Sequence, residues 1–370
     1  MTGAQFEIIL ITCLTAVACS VPGSFLVLRR MPAYSNIINY SVLLGIAVAF
    51  FFVQWIDSPI IVLAAGAIGF VIIFCVEKVL KAGFEKGEAT ASVLYPFVFS
   101  AAVILISLFA SQAHIDIDTV LFGELAFTPF NRLQVLGYNM GPVALWQIGG
   151  FALLNAFLSL FFYKELKLVL FDYGYAATAG FVPQRMIYGI MLIVSLTAVA
   201  AFEVAGSFLS VGFTIGPAVI ACYLTKRLKR LLLLAPLIGV ISSLLGYAAA
   251  YTLDASIAGM TVSVMGALFF LALLFAPGAG IVAKALENKK RKDELLVNLL
   301  LLHLWQHEVL GNAAEKNSAD NLSLYLNWKS GFADRIVKRC MDMQLLGINT
   351  DGILFLLKGG RSRAQAILEG

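Results

Sequence analysis

Nine apolar stretches fill residues 6–276, short loops separate them, and nearly every Lys and Arg among them falls in alternate loops. A chain patterned in this way is constrained to thread a bilayer repeatedly in one fixed orientation. The stretches run at about 6–28, 37–56, 59–76, 91–110, 143–162, 186–205, 208–224, 231–252 and 257–276, mostly near the ~20 residues that a hydrocarbon core requires. Backbone groups in lipid find no water to bond, so each span is expected to be a helix. With the N-terminus outside, the cytoplasmic loops hold Arg29 and Arg30, then Lys78, Lys81 and Lys86, then Lys164, Lys167 and Arg185, then Lys226, Arg227, Lys229 and Arg230. The opposite side holds only Arg132. The positive-inside rule therefore predicts an external N-terminus and a cytoplasmic tail after Pro277, an arrangement that needs an odd number of spans.

Composition agrees with an all-α polytopic membrane protein and argues against a soluble enzyme. Hydrophobic residues make up 60% of the chain, charged ones 13%, and the mean hydropathy is +0.90. Thirty-one glycines suit close helix packing in lipid. The formal net charge of +4 does not point to nucleic acid, because 13 of the 26 basic residues lie in the tail from Lys284 and the rest orient the membrane part. Ala16-Val17-Ala18-Cys19 has the look of a processing site, but Met1–Ile8 has no basic residue and Glu7 is acidic, so an uncleaved first span is expected. Cys13, Cys19, Cys75 and Cys222 fall in apolar spans, Cys340 lies in the tail, and no CxxC pair occurs, which predicts neither a disulfide nor a thiolate metal site. The chain also lacks a GxxxxGK[ST] loop to cradle nucleotide phosphates. Any ATP-driven work must use a separate ATPase.

The composition shifts at Ala276-Pro277, which predicts a membrane domain over 1–285 and a small cytoplasmic domain over 286–370. The basic run Lys289-Lys290-Arg291-Lys292 reads as a linker anchored at the membrane surface. Beyond it, leucines to about Glu308 mark a helix, 320–326 and 331–345 read as two more, and 348–357 reads as a hairpin turning at Asn349-Thr350-Asp351-Gly352. Three short helices and a hairpin resemble a winged-helix domain, α/β in class.

Several polar residues are candidates for handling a cation, each with a plainer role beside it. His114, Asp116 and Asp118 alternate, so an extended segment would point all three the same way. They could collect a divalent cation outside, or form with Glu124 an acidic docking surface or ordinary loop caps. Glu203 is the one acid near the outer end of a late span, where a charge is either part of a pathway or a partner for a neighbouring helix. His303 and His307 sit four apart, followed by Glu308, a spacing that can hold a metal or simply face solvent. Trp328, Lys329, Arg335, Lys338 and Arg339 have the residue types of a DNA-reading helix, but Asp334 and Asp342 dilute the charge and the domain is tethered to a bilayer, so nucleic acid is not an expected partner.

Specific segments decide among families. Gly23-Ser-Phe-Leu-Val-Leu-Arg-Arg-Met31 running into Ser41-Val-Leu-Leu-Gly45 resembles the opening of the manganese, zinc and iron permease family of ATP-binding-cassette importers. The segment from His114 through Asp116, Asp118 and Glu124 to Ala126 is similar to its outer loop, and Phe202–Ser207 through Gly216-Pro217-Ala218 to its late core. Phe171-Asp172 with Tyr175, Ala176 and Gly180 resembles the family's coupling loop, which implies that these residues contact the ATPase. The resemblance covers about residues 6–285, and the tail is similar to the metal-regulator-like winged helix that some members append.

The resemblance implies a permease subunit in a bacterial plasma membrane that carries a divalent metal ion by alternating access. It implies as partners an ABC ATPase that holds the ATP, a second permease subunit and an extracytoplasmic metal-binding protein, with no cofactor on this chain. The family's second span opens with Asp and His four residues apart; here those positions are Asn36 and Tyr40, and the motif's Pro is Leu44. This could be the ligand-poor half of a heterodimer, a permease for another substrate, or a chain in which Asn36, Asn39 and Tyr40 merely join helices by hydrogen bonds. Two other classes remain on the residues alone. One is an ion-coupled secondary transporter, which should carry buried mid-span acids that are scarce here. The other is a membrane-tethered regulator working through its tail.

Overall fold

The structure, a computed structural model, describes residues 3–29, 32–53, 67–69, 71, 72, 74, 75, 78, 88–109, 123, 125–135, 138–278, 280–310, 317, 325, 326, 328, 330–349 and 352–369. The chain divides into two compact units, Met1–Gly280 and Ile281–Gly370. The first comprises α1 (Gly3–Leu28), α2 (Pro32–Val53), α3 (Glu88–Phe109), a hairpin of β1 (Arg132–Val135) and β2 (Tyr138–Pro142), α4 (Val143–Phe161), α5 (Tyr163–Phe171), α6 (Tyr173–Thr178), α7 (Pro183–Leu224), α8 (Leu228–Leu253) and α9 (Ile257–Phe275). Among the described residues, α1, α4, α7, α8 and α9 are long and apolar enough to cross a membrane. α2 and α3 add 22 mostly apolar residues each. The span expected at 59–76 lies largely outside the described residues.

α1 holds this unit together, packed by α2, α4, α7 and α8. Its polar residues serve the helix itself: Thr12, Thr15 and Ser24 donate to the carbonyls of Ile8, Ile11 and Ser20, one turn back, at 2.7 to 2.8 Å. Hydroxyls satisfied in this way can be buried without a water shell. Lipid tails are as apolar as leucine, so helices attract one another chiefly by close packing, and small residues permit it. A Cβ on Gly23 would lie 1.9 Å from the Thr214 carbonyl oxygen of α7, and one on Gly246 of α8 would lie 2.4 Å from Thr261 of α9.

One expectation is corrected in this unit. The spans foreseen at 186–205 and 208–224 are not separated by a loop; they join in α7 through one non-helical residue, Gly206, at φ 75° and ψ 170°. Glycine alone takes that backbone freely, so the break needs no connecting segment. Between α3 and α4 the chain also forms the β1–β2 hairpin, which was not foreseen and whose register slips between Arg132 and Gln134. Arg132 pairs with Glu7 at 3.4 Å and donates from Nε to the Pro129 carbonyl, which ties the hairpin to the start of α1.

The second unit contains α10 (Ile281–Val309), α11 (Ser330–Asp342), an antiparallel pair β3 (Leu346–Ile348) and β4 (Leu354–Leu356), and α12 (Lys358–Glu369). Its core gathers Leu300, Leu301 and Leu304 with Ile336, Cys340, Leu346, Leu354, Leu356 and Ala364. The basic run 289–292 is not a linker: it lies inside α10, where Lys, Glu, Leu and Ala are strong helix formers and Arg291 pairs with Glu287 at 2.8 Å. The hairpin sits near its expected place, while α12, whose first turn holds Gly359-Gly360, was not foreseen. Of the helix expected at 320–326, only Tyr325 and Leu326 are described.

Gly23→Leu is expected to lower the stability of the detergent-solubilised chain by about 1 to 3 kcal/mol through overpacking, read as a drop in Tm. The same change at Gly149, where a Cβ meets nothing within 4 Å, should be near neutral. A second expectation concerns Cys340, which is fully buried and whose thiol burial pushes up to about 11, against the opposing charges of Arg363 and Arg339. At pH 7 maleimide should label it at least about a hundredfold more slowly in the folded chain than after denaturation. Equal rates would contradict the packing of this core.

A broken helix and a doubly capped loop

Two places stand out, the middle of α7 with the polar residues around it and the loop that precedes that helix. On α2, Asn39 is wholly buried and accepts a hydrogen bond at 2.8 Å from Ser210 of α7, which is itself buried. Tyr40 follows it into an aromatic group, with ring centroids 5.8 Å from Tyr95 and 4.9 Å from Phe99 of α3. Asn36 is half-buried on the same helix. Asn39 therefore joins two helices, as its residue type suggested, and Tyr40 makes packing contacts. Among the described residues no group of three His, Cys, Asp or Glu could hold a metal ion.

Ser210 lies one turn beyond the break at Gly206. Gly123, at φ 70°, presses directly on that break: a Cβ there would lie 2.4 Å from the Ala205 carbonyl carbon and 2.5 Å from the Gly206 nitrogen. Gly123 thus touches α7 at the break, glycine against glycine. His114, Asp116, Asp118 and Glu124 lie outside the described residues. Glu203, on the turn before Gly206, is exposed and accepts a hydrogen bond from Gln147 of α4 at 2.8 Å.

Sequence reasoning missed Gln147 and Asn155, both on α4. Their signal was present, since a polar side chain in an apolar span needs a partner. Asn155 donates to the Ala18 carbonyl of α1 and to Thr197 Oγ1 of α7, each at 2.9 Å, and so ties three helices together.

The second place is the loop between α4 and α7. After α5, the Asp172 side chain accepts from the Tyr175 backbone N–H at 2.9 Å and caps α6. At the other end, the Phe181 N–H donates to Ala176 and the Gly180 N–H to Ala177, with Gly180 at φ 87°. This pair of bonds is a Schellman closure, which requires the left-handed residue that Gly180 supplies. Ala176 is buried beneath the turn, whereas Phe171, Tyr173, Tyr175, Phe181 and Val182 stand exposed. A short helix capped at both ends that displays large apolar side chains beside Lys164 and Lys167 has the makings of a contact surface.

Comparison with known proteins bears on both places. Residues 3–276 match the ABC 3 transport family. The chain is 34% identical to the zinc transport system membrane protein TroD of Treponema pallidum (strain Nichols) over 364 residues, 98% of each chain, so the match extends through the second unit. It is 35% identical to the manganese transport system membrane protein MntD of Bacillus subtilis (strain 168) over 282 residues, covering 76% of this chain and 95% of that one. In fold it resembles PsaBC from Streptococcus pneumoniae, solved in complex with Fab, at a TM-score of 0.64 and 20% identity, covering 78% of this chain and 96% of that one. From residue 3 through residue 276, the length that carries both the broken helix and the capped loop, the chain belongs to the ABC 3 transport family.

Proposed function

We propose that this chain is one of two permease subunits of an ATP-driven importer, carrying a divalent transition-metal ion inward by alternating access. The reading rests first on the family match over 3–276, and the zinc and manganese transport names of two relatives support the cargo class. Permeases of this family are not enzymes; ATP is bound and hydrolysed on a separate subunit, consistent with the lack of a phosphate-binding loop here. The N-terminus is outside, the chain crosses the membrane nine times, and the second unit is a cytoplasmic winged-helix-like domain. An extracytoplasmic metal-binding protein delivers the ion. The ion-coupled alternative has no support from the family match, and the match of the second unit to a transport subunit favours a role beside the permease over one as an independent regulator.

In this reading Phe171, Asp172, Tyr175, Ala176 and Gly180 form the coupling surface. Asp172 and Gly180 fix the ends of α6, Ala176 seats it, and Phe171 and Tyr175 meet the ATPase. The exposure of Phe171, at the end of α5, and of Tyr175, on the doubly capped α6, is the observation that carries the assignment. Phe171→Ala with Tyr175→Ala is expected to cut metal uptake by about thirtyfold, as loss of interface anchors does, while the chain still inserts and the ATPase still hydrolyses ATP uncoupled. Uptake within twofold of the parent would refute the coupling role.

Asn36 and Tyr40 make this chain the ligand-poor half of a heterodimer, whose sister subunit supplies the carboxylate and imidazole. Tyr40→Phe, which keeps the rings and removes the hydroxyl, should leave uptake unchanged; a loss of tenfold or more, about 1.4 kcal/mol, would make Tyr40 a ligand. His114, Asp116 and Asp118 collect the arriving ion and Glu203 lies beside its path. Changing those three loop residues to Ala should raise the metal concentration needed for half-maximal uptake and leave the maximal rate alone. An unchanged concentration dependence would remove the loop from the pathway.

A further inference from the structure

The basic residues of two cytoplasmic loops, read from sequence only as signals of orientation, come together in space. A groove of about 540 Å³ is lined by Tyr163, Lys167 and Phe171 of α5 and by Lys226, Arg227, Leu228, Lys229 and Arg230 at the start of α8. Five cations thus face one concavity with no acid in its lining. Of the nearby acids, Asp172 is engaged in capping α6, and Glu165 lies on α5 outside the lining. Among the described residues none of the five has an ion pair, and Lys229 stands 5.8 Å over the Tyr163 ring.

We propose that this groove binds the headgroup of an anionic phospholipid of the cytoplasmic leaflet. Basic pockets beside spans on that side attract lipid phosphates, each Lys or Arg near the surface contributing about fivefold in affinity. The groove lies where the chain passes from apolar to charged. Below it Leu160, Phe161 and Phe162 at the end of α4 and Leu233 and Leu237 on α8 are exposed, a surface that acyl chains cover. Tyr163 sits at the boundary, the level that aromatic rings favour. An acidic protein would satisfy the cations but not the apolar flanks, whereas one phospholipid satisfies both. The site also adjoins the coupling surface through Phe171, so lipid bound here would brace the end of α5 from which that loop departs.

The inference uses the cytoplasmic placement proposed above but not the cargo. Detergent solution has no sides, so a wrong orientation would leave the binding result intact. The transporter, purified in detergent with its partner subunits, is mixed with cardiolipin, phosphatidylcholine or inorganic phosphate and weighed by native mass spectrometry. Cardiolipin adducts should outlast phosphatidylcholine adducts by about tenfold or more. Arg227→Gln with Arg230→Gln should reduce cardiolipin retention by about tenfold or more, and Lys167→Gln alone, which leaves α8 untouched, by about fivefold. Lys164→Gln with Arg185→Gln, an equal charge loss outside the groove, should leave retention unchanged. Equal retention in groove and control variants would overturn the proposal. Displacement of cardiolipin by millimolar inorganic phosphate would make this a free-anion site. Loss of the ATPase from the groove variants with lipid retention intact would assign the groove to a protein.

Discussion

Helices that meet in lipid gain nothing from leaving water, so this fold depends on how closely α1 and α7 approach. Gly23 lets the Thr214 carbonyl of α7 come against α1, and on the other flank Gly239 of α8 receives Ala16, where a Cβ would stand 3.0 Å from the alanine methyl. At such separations dispersion and a few interhelical hydrogen bonds replace the hydrophobic drive available to a soluble core. Asn155 reaches both α1 and α7, and Ser210 reaches Asn39 on α2. The position of the break in α7 is therefore set by neighbours on three sides.

That break gives the membrane unit a mechanical layout. α7 leaves the capped loop at Pro183 and stays helical to Ala205, a rod of about 35 Å at 1.5 Å per residue. One end of the rod carries the surface proposed to meet the ATPase. The other meets Gly206, where Gly123 presses on the break while Glu203 and Ser210 bond α4 and α2. In the proposed reading, a push on the loop would travel along a hydrogen-bonded helix to the one point, Gly206, where the backbone turns. Alternating access needs such an element, stiff along its length and pliant at one point.

Much of this was legible in the sequence because lipid leaves few choices. Long apolar runs had to become helices, and among the described residues five are long and apolar enough to span a bilayer. Phe171 through Gly180 was legible as a unit only through its resemblance to the family's coupling loop; that Asp172 caps it and Gly180 closes it came from the structure. The join at Gly206 was not legible: glycine within an apolar run signals close packing as readily as a break, and only the partner Gly123, far off in sequence, distinguishes them. α10 was read too short because a run of Lys and Arg resembles a surface anchor, although the same residues favour helix. α12 was hidden by Gly359-Gly360, of which Gly360 packs so tightly on the Leu345 carbonyl that a Cβ would lie 2.2 Å from it. The basic groove could not be found from sequence, since its two walls are separate loops.

The decisive measurement is metal uptake into proteoliposomes that hold this chain with its partner permease and ATPase, loaded with metal-binding protein outside and ATP inside. Uptake should require ATP hydrolysis and every subunit, and this chain alone should move no metal uphill under a proton or sodium gradient. Concentrative uptake by the isolated chain, driven by such a gradient without ATP, would contradict the reading of it as a passive conduit moved by an external motor.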